Sequence, residues 1–175
     1  MNELLILNTE CMNFLEKDLE EIIFNTPSGI LLERGLPIFG IKKRQLRLGK
    51  YGIADLVTIE WDSLYLDKHY IITIYELKKD KIGISSFLQV LGYAKAIKSY
   101  LEDVRNISNF KIKIVLIGKE VDTTGSFCYI PELFSNDSSG VALGQIYDVN
   151  FYTYNFDING FNFKSHYGYG IKNPF

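Results

Sequence analysis

Two neighbouring segments, "GIADLVTIE" and "YIITIYELK", read as strands of a buried sheet, yet each carries ionisable groups where an unpaired charge is costly. Asp55 interrupts the first, and the triplet Glu76, Leu77, Lys78 closes the second. Such charges are tolerated at strand ends only where they converge on something that stabilises them, and this requirement constrains every other element. Residues 52–60 and 70–78 are the expected strands, joined through "WDSLYLDKH" as an antiparallel hairpin with a long connection.

Strand alternation places Glu76 and Lys78 on one face, and Asp55 on the face of Ile53, Val57 and Ile59. Pairing in register lets Asp55 and Glu76 converge. Two carboxylates a few ångströms apart repel each other unless a divalent cation sits between them, and oxygen ligands at about 2.0 to 2.1 Å suit magnesium. The carbonyl of Leu77 is a candidate third ligand. Lys78 then points at the same site, where its ammonium can orient a water or stabilise charge on a phosphate under attack.

Other elements are placed around this hairpin. Met12, Leu15, Leu19, Ile22 and Ile23 recur at helical spacing, predicting a helix over 12–24 that Thr26, Pro27, Ser28 and Gly29 stop. Glu16 lies at the edge of its apolar stripe and Glu20 further toward solvent, so Glu16 is the favoured carboxylate and Glu20 its competitor. "IKKRQLRLGK" alternates as a half-exposed strand. Its Arg44, Arg47 and Lys50 are either a solvated face or contacts to a phosphate backbone entering the site. From Ser85 the period becomes helical, with Phe87, Val90, Leu91, Ala94, Ile97 and Leu101 in one stripe and Ser85 or Ser86 as N-cap. Gln89 and Tyr93 sit four apart on its flank, beside the small Gly92, and both can hydrogen-bond a phosphate or a carboxylate.

Residues 110–118 read as a further strand. The aromatic remainder, with its Asn159-Gly160 turn signal, reads as one or two appended strands. Its tyrosines, Tyr152, Tyr154 and Tyr167 among them, fit core and sheet edge better than a base-stacking platform.

At 175 residues and 47% hydrophobic, the chain has the size and apolar content of one domain over 1–175, with a core at about 12–118 and a β-rich extension at 119–175. A net charge of -2 gives no global basic signature, so affinity for nucleic acid must come from a local patch. Cys11, Cys128, His69 and His166 are too few and too scattered for a disulfide framework or a soft-ligand metal site. With no signal-peptide pattern and no apolar run of membrane-spanning length, a cytoplasmic protein without a membrane partner is expected.

"FLEKDLEEII", "GIADLV", "YELKK" and "FLQVLGY", in that order, resemble the PD-(D/E)XK nuclease superfamily, closest to RecB-type and NucS-like branches with a Q-x-x-x-Y helix. The likeness covers about residues 16–101, and Ala54 stands where the motif's proline would be. It implies an α/β, restriction-endonuclease-like fold with a central mixed β-sheet flanked by helices and appended C-terminal strands. It further implies that Asp55, Glu76 and Glu16 handle Mg2+ or Mn2+, that Lys78 assists the attacking water, and that Gln89 and Tyr93 belong to the same site. The expected activity is metal-dependent hydrolysis of DNA, with RNA left open as a substrate. The alternative is a non-catalytic module of this fold that binds nucleic acid or a protein, and a third reading has the aromatic C-terminal strands making a homodimer.

Overall fold

The computed structural model describes residues 15–62, 69–125, 127, 130, 146–157 and 160–166. Met12, Cys11, Cys128, Asn159, Tyr167 and most of the 61–69 connection lie outside the described residues. In chain order the elements are α1 (Glu16–Asn25), α2 (Ser28–Glu33), β1 (Ile41–Arg47), a 3-10 turn (Gly49–Tyr51), β2 (Ile53–Asp62) and β3 (His69–Leu77). There follow β4 (Lys81–Ile82), α3 (Ile84–Ser99) with a π turn (Tyr100–Val104), β5 (Phe110–Gly118), β6 (Glu120–Val121), β7 (Ile146–Asp157) and β8 (Gly160–Ser165). Among the described residues no helix is long and apolar enough to cross a membrane.

The architecture is mixed α/β: a central six-stranded mixed sheet, ordered β1-β2-β3-β5-β7-β8, flanked by helices, with β4 and β6 as a small parallel pair. Pairing is antiparallel from β1 through β3, parallel from β3 through β7, and antiparallel again between β7 and β8. The helix α3 is the crossover that parallel β3 and β5 require. Being central and covered on both faces, β3 is buried at every position except Tyr70, which is why its sequence is nearly all apolar.

Two cores lie on the two faces of the sheet. On one, Phe87, Val90, Tyr93, Ala94 and Ile97 of α3 pack on Ile72, Ile74, Ile112, Ile114 and Leu116. On the other, Leu19 and Ile23 of α1 and Leu31 of α2 pack on Leu56, Tyr75, Leu77, Val115 and Ile117. The strands expected as an appendage are integral. β7 lies between β5 and β8, Phe151 belongs to the α3-side core, and Tyr152, Tyr154, Phe161 and Phe163 to the α1-side core. Tyr152 and Tyr154 are buried, so neither stacks bases.

Local departures have local causes. α1 begins at Glu16, with Leu15 exposed as its N-cap because Asp18 accepts the Leu15 amide at 2.9 Å. α3 begins one residue before Ser85, capped by Gly83 without a side-chain bond, and Ser86 is buried within it. Tyr100 opens the π turn and is exposed. The helix α2, unforeseen in the apolar "GILLE" run, is only 6 residues long and too short for periodicity to separate from a strand.

Gly35 closes α2 against the far edge of the sheet. Its φ of +89° is in the left-handed region, a Cβ there would lie 2.3 Å from the Phe163 carbonyl oxygen, and Phe163 N donates to Arg34 O at 2.8 Å. Gly35→Ala is therefore expected to destabilise the protein by about 1–3 kcal/mol, read as a lower urea midpoint with unchanged slope. An unchanged midpoint would show that α2 is not held to β8 by this close approach.

Candidate active site

The β2–β3 ladder starts at Leu56 opposite Tyr75, leaving Ile53 to Asp55 and Glu76 to Leu77 outside it. The same register carried one residue further sets Asp55 across from Glu76. Where the ladder stops, the Leu77 amide needs an acceptor, and Asp55 Oδ2 takes it at 2.9 Å. Asp55 therefore replaces a backbone carbonyl at the point where two central strands part. That geometry answers why an acid sits in an apolar run.

Strand alternation fails at this same level. Arg44 and Leu56 face α1, whereas Leu46 and Ala54, two residues along on the paired strands, belong with the α3-side core. Between them Gln45 has φ +52°, a left-handed conformation in mid-strand. This turns Gln45 to the same side as Arg44, and both grip one carboxylate: Arg44 Nε lies 2.8 Å from Glu20 Oε1, and Gln45 Nε2 donates to Glu20 Oε2. Hence the expected grouping of Asp55 with Ile53, Val57 and Ile59 does not hold. Val57 packs under α3, Ile53 and Ile59 are exposed, and Asp55 lines the α1-side cleft.

The helix α1 supplies two carboxylates. Glu20, expected toward solvent, is only 3% exposed: the periodicity of α1 could not reveal that Arg44 and Gln45 would stabilise it in a buried position. Glu16 also reaches the sheet, accepting the Lys79 amide at 3.2 Å. A cleft of about 560 Å³ is lined by Glu16, Lys17, Glu20, Arg44, Gln45 and Asp55. Lys17 and Gln45 are the lining residues that the sequence did not point to. A smaller cavity, about 190 Å³, lies elsewhere on the sheet beside Glu60, Thr73, Lys113 and Asp148 and shares none of these groups.

Glu76 is 1% exposed. The Lys78 ammonium lies 2.7 Å from its Oε1, and neither carboxylate oxygen has a well-aligned hydrogen-bond donor among the described residues. Lys78 itself is just past the end of β3, held by its amide's 2.7 Å bond to Ile117 O. Behind this group Gln89 Nε2 donates to Tyr93 Oη at 2.5 Å. Gly52, at φ +105°, passes close enough to the Tyr93 ring that a Cβ would lie 3.4 Å from Cε1. Gly92 lies against the Tyr51 ring, so it is the β1–β2 turn that approaches α3 here.

Electrostatics bind these residues into one system. Burial, reinforced by the Asp55 charge and opposed by Lys78, raises the Glu76 pKa to about 7. Burial also raises that of Asp55, against the Leu77 amide and Lys78, which lower it. Burial alone would lower Lys78, but Glu76, Glu16 and Asp55 outweigh it and raise it. Tyr93 is raised by burial and by the charges of Glu76 and Asp55, with Gln89 acting the other way.

The basic residues separate into two groups. Arg44 is engaged by Glu20 and lies 5.6 Å over the Phe24 ring. Lys42 donates to Ile23 O, Phe24 O and Thr26 O at the C-terminal end of α1. Arg47 and Lys50 remain exposed, Lys50 above the Tyr51 ring at 5.4 Å.

A divalent cation suits the donor set in one respect: a buried carboxylate without an aligned donor stands beside a second carboxylate. Among the described residues no three His, Cys, Asp or Glu side chains are grouped to hold an ion by themselves. Magnesium needs no such cage, since it binds through one or two carboxylates and keeps water or substrate phosphate as its other ligands. Asp55 and Glu76, with the Leu77 carbonyl, would supply the protein's share. Comparison with protein-family models, with curated proteins and with solved structures finds no match.

Because Glu76 holds its proton more tightly folded than unfolded, its contribution to stability is whole below its ordinary value of 4.5 and is lost as pH rises through about 7. The loss is on the order of a few kcal/mol. In EDTA, urea stability should fall between pH 5 and pH 8, and Glu76→Gln should flatten that fall. A variant as pH-dependent as the wild type would locate the titration elsewhere.

Proposed function

We propose that this protein is a restriction-endonuclease-like nuclease that hydrolyses phosphodiester bonds in DNA with magnesium or manganese. The observation that carries the reading is the convergence of Asp55, Glu76 and Lys78 where β2 and β3 part. Glu16 is tied to the adjoining backbone at Lys79, and the four elements follow the order of the motif described above.

Asp55 and Glu76 would hold the ion, with the Leu77 carbonyl as a further ligand. When bound, the ion supplies Lewis acidity at a phosphoryl oxygen and lowers the pKa of a coordinated water. Lys78, already drawn to Glu76, steadies the attacking water and offsets charge on the phosphate oxygens. Glu16 and Glu20 set the acidic wall of the cleft, while the exposed Lys17 in its lining, Arg47 at the end of β1 and Lys50 on the turn that follows attract the backbone. Tyr93, whose hydroxyl accepts from Gln89, stands close enough to the acidic pair for their charges to add to burial in raising its pKa, and so stays protonated beside them.

One observation favours a second reading, a non-catalytic module of the same fold. Lys78 already neutralises Glu76, and no group of three acidic side chains stands ready for an ion among the described residues. The two readings part on cleavage of plasmid, linear duplex, single-stranded DNA and RNA in magnesium, manganese or EDTA. The nuclease cuts only with metal, whereas the module binds and never cuts.

Two variants sharpen the comparison. Lys78→Ala should lose at least about a hundredfold in cleavage rate while retaining most nucleic-acid affinity in filter binding; full activity would remove Lys78 from the mechanism. Manganese should raise the melting temperature of the wild type, by relieving carboxylate repulsion, and should leave Asp55→Asn unmoved. An equal rise in both would take Asp55 out of the metal site.

A further inference from the structure

On the α1 side the sheet changes from apolar to polar beyond Tyr75, Val115 and Tyr152. Thr58, Thr73, Lys113 and Asp148 are register partners in turn, so one row across β2, β3, β5 and β7 carries two hydroxyls, an ammonium and a carboxylate. Their chain neighbours Val57, Ile74, Ile114 and Val149 belong to the α3-side core, which fixes the face of the row. Thr73, Lys113 and Asp148 line the cavity of about 190 Å³, with Tyr75 and Asn150 one row to one side, Glu60 one row to the other, and Pro37 and Phe39 as an apolar wall.

The charges of this cavity are not neutralised from within. Glu60, Lys113 and Asp148 make no ion pair with a described residue, although Lys113 and Asp148 are direct cross-strand partners. Thr73 and Tyr75 are 5% and 2% exposed, and Thr58 Oγ1 beside them is buried with no well-aligned partner. Burial raises the Tyr75 pKa to about 12, against Thr58 and Thr73, which lower it, so the hydroxyl stays protonated. Polar groups so far withdrawn from water are costly until something meets them. The pattern of charge selects the ligand. A carboxylate adjoins an ammonium at Asp148 and Lys113, and a second carboxylate, Glu60, lies two strands from Lys113, about 10 Å. One divalent ion cannot join acids on β2 and β7, which stand three strand spacings apart. A phosphate would meet two carboxylates for one cation, and a diamine would leave Lys113 facing like charge.

We infer that this cavity binds a free dibasic amino acid of the lysine type, its carboxylate on Lys113, its α-ammonium on Asp148 and its side-chain ammonium on Glu60. An extended lysine carries a carboxylate and an ammonium side by side at one end and a lone ammonium at the other, the complement of the lining charges. Its methylene stem lies against Pro37 and Phe39, and Thr73, Tyr75 and Asn150 bond the carboxylate and α-ammonium. The volume equals that of about six waters at ~30 Å³ each, room for one such molecule and not for a peptide. None of these residues lines the Asp55 cleft, and binding here owes nothing to nuclease activity.

Calorimetric titration with L-lysine should show saturable binding at one site. Three analogues each remove one charge: norleucine lacks the side-chain ammonium, ε-aminocaproate the α-ammonium and cadaverine the carboxylate. Each should bind the wild type at least about tenfold more weakly than lysine does. Glu60→Gln should erase the preference for lysine over norleucine, Asp148→Asn that over ε-aminocaproate, and Lys113→Gln that over cadaverine. Circular dichroism checks that each variant is folded, and the analogue series on the wild type decides the matter if one is not. No heat with millimolar lysine, norleucine binding as tightly as lysine, or D-glucose or phosphate binding in its place overturns the site. So does a preference for lysine over norleucine that survives Glu60→Gln. Asp55→Asn should bind lysine as the wild type does, and a loss there would put the ligand in the cleft and overturn this cavity as its site.

Discussion

The Leu77 amide donates to a side chain where a strand would ordinarily accept it, and much of the molecule is arranged around that substitution. Two central strands can part inside a packed sheet only if the backbone groups they abandon find partners. Asp55 supplies the acceptor for one of them. Once an acid is fixed there, Glu76 is forced to share its neighbourhood, and Lys78 is the cation that makes two buried carboxylates tolerable. The site is thus a local failure of the ladder, stabilised by charge, in a sheet whose two faces are otherwise apolar.

The layers have a division of labour. The α3 side fixes Tyr93 and Gln89 against the turn at Gly52, and the α1 side fixes Glu20 against β1 and Glu16 against the Lys79 amide beyond β3. The C-terminal strands widen the sheet and reach back to the site through Tyr154, whose hydroxyl donates to Lys79 O at 2.6 Å. Lys79 thereby touches both α1, through its amide, and β7, through its carbonyl.

Elements written by strong periodicity were legible: β2, β3, β5 and the apolar stripe of α3 fall where alternation and helical spacing place them. So was the Asp55, Glu76, Lys78 group, because an ionisable residue in an apolar strand is conspicuous for what its burial costs. What could not be read was whatever depends on one backbone angle or one distant partner. Gln45 has no sequence mark for a left-handed φ, yet at that angle β1 turns from the α1 face at Arg44 to the α3 face at Leu46. Glu20 occupies a polar-looking helix position and is buried because residues on β1 claim it. The aromatic tail looked peripheral because parallel pairing to β5 is a long-range choice that local pattern does not encode.

The bond pattern of Lys42 bears on how the site moves. Its ammonium spans three carbonyls at the C-terminal end of α1 and is partly desolvated there, which lowers its pKa. Glu20, nearer the other end, is gripped by Arg44 and Gln45 of the same strand. A helix riveted at two points to one edge strand, and tied through Glu16 to the Lys79 amide beyond β3, has no independent swing. Opening the cleft between α1 and β1 therefore means breaking bonds that Lys42, Arg44 and Gln45 make to the helix, and Gly40, at φ +81° with no room for a Cβ against the Ile59 carbonyl, ties the start of that same strand to β2.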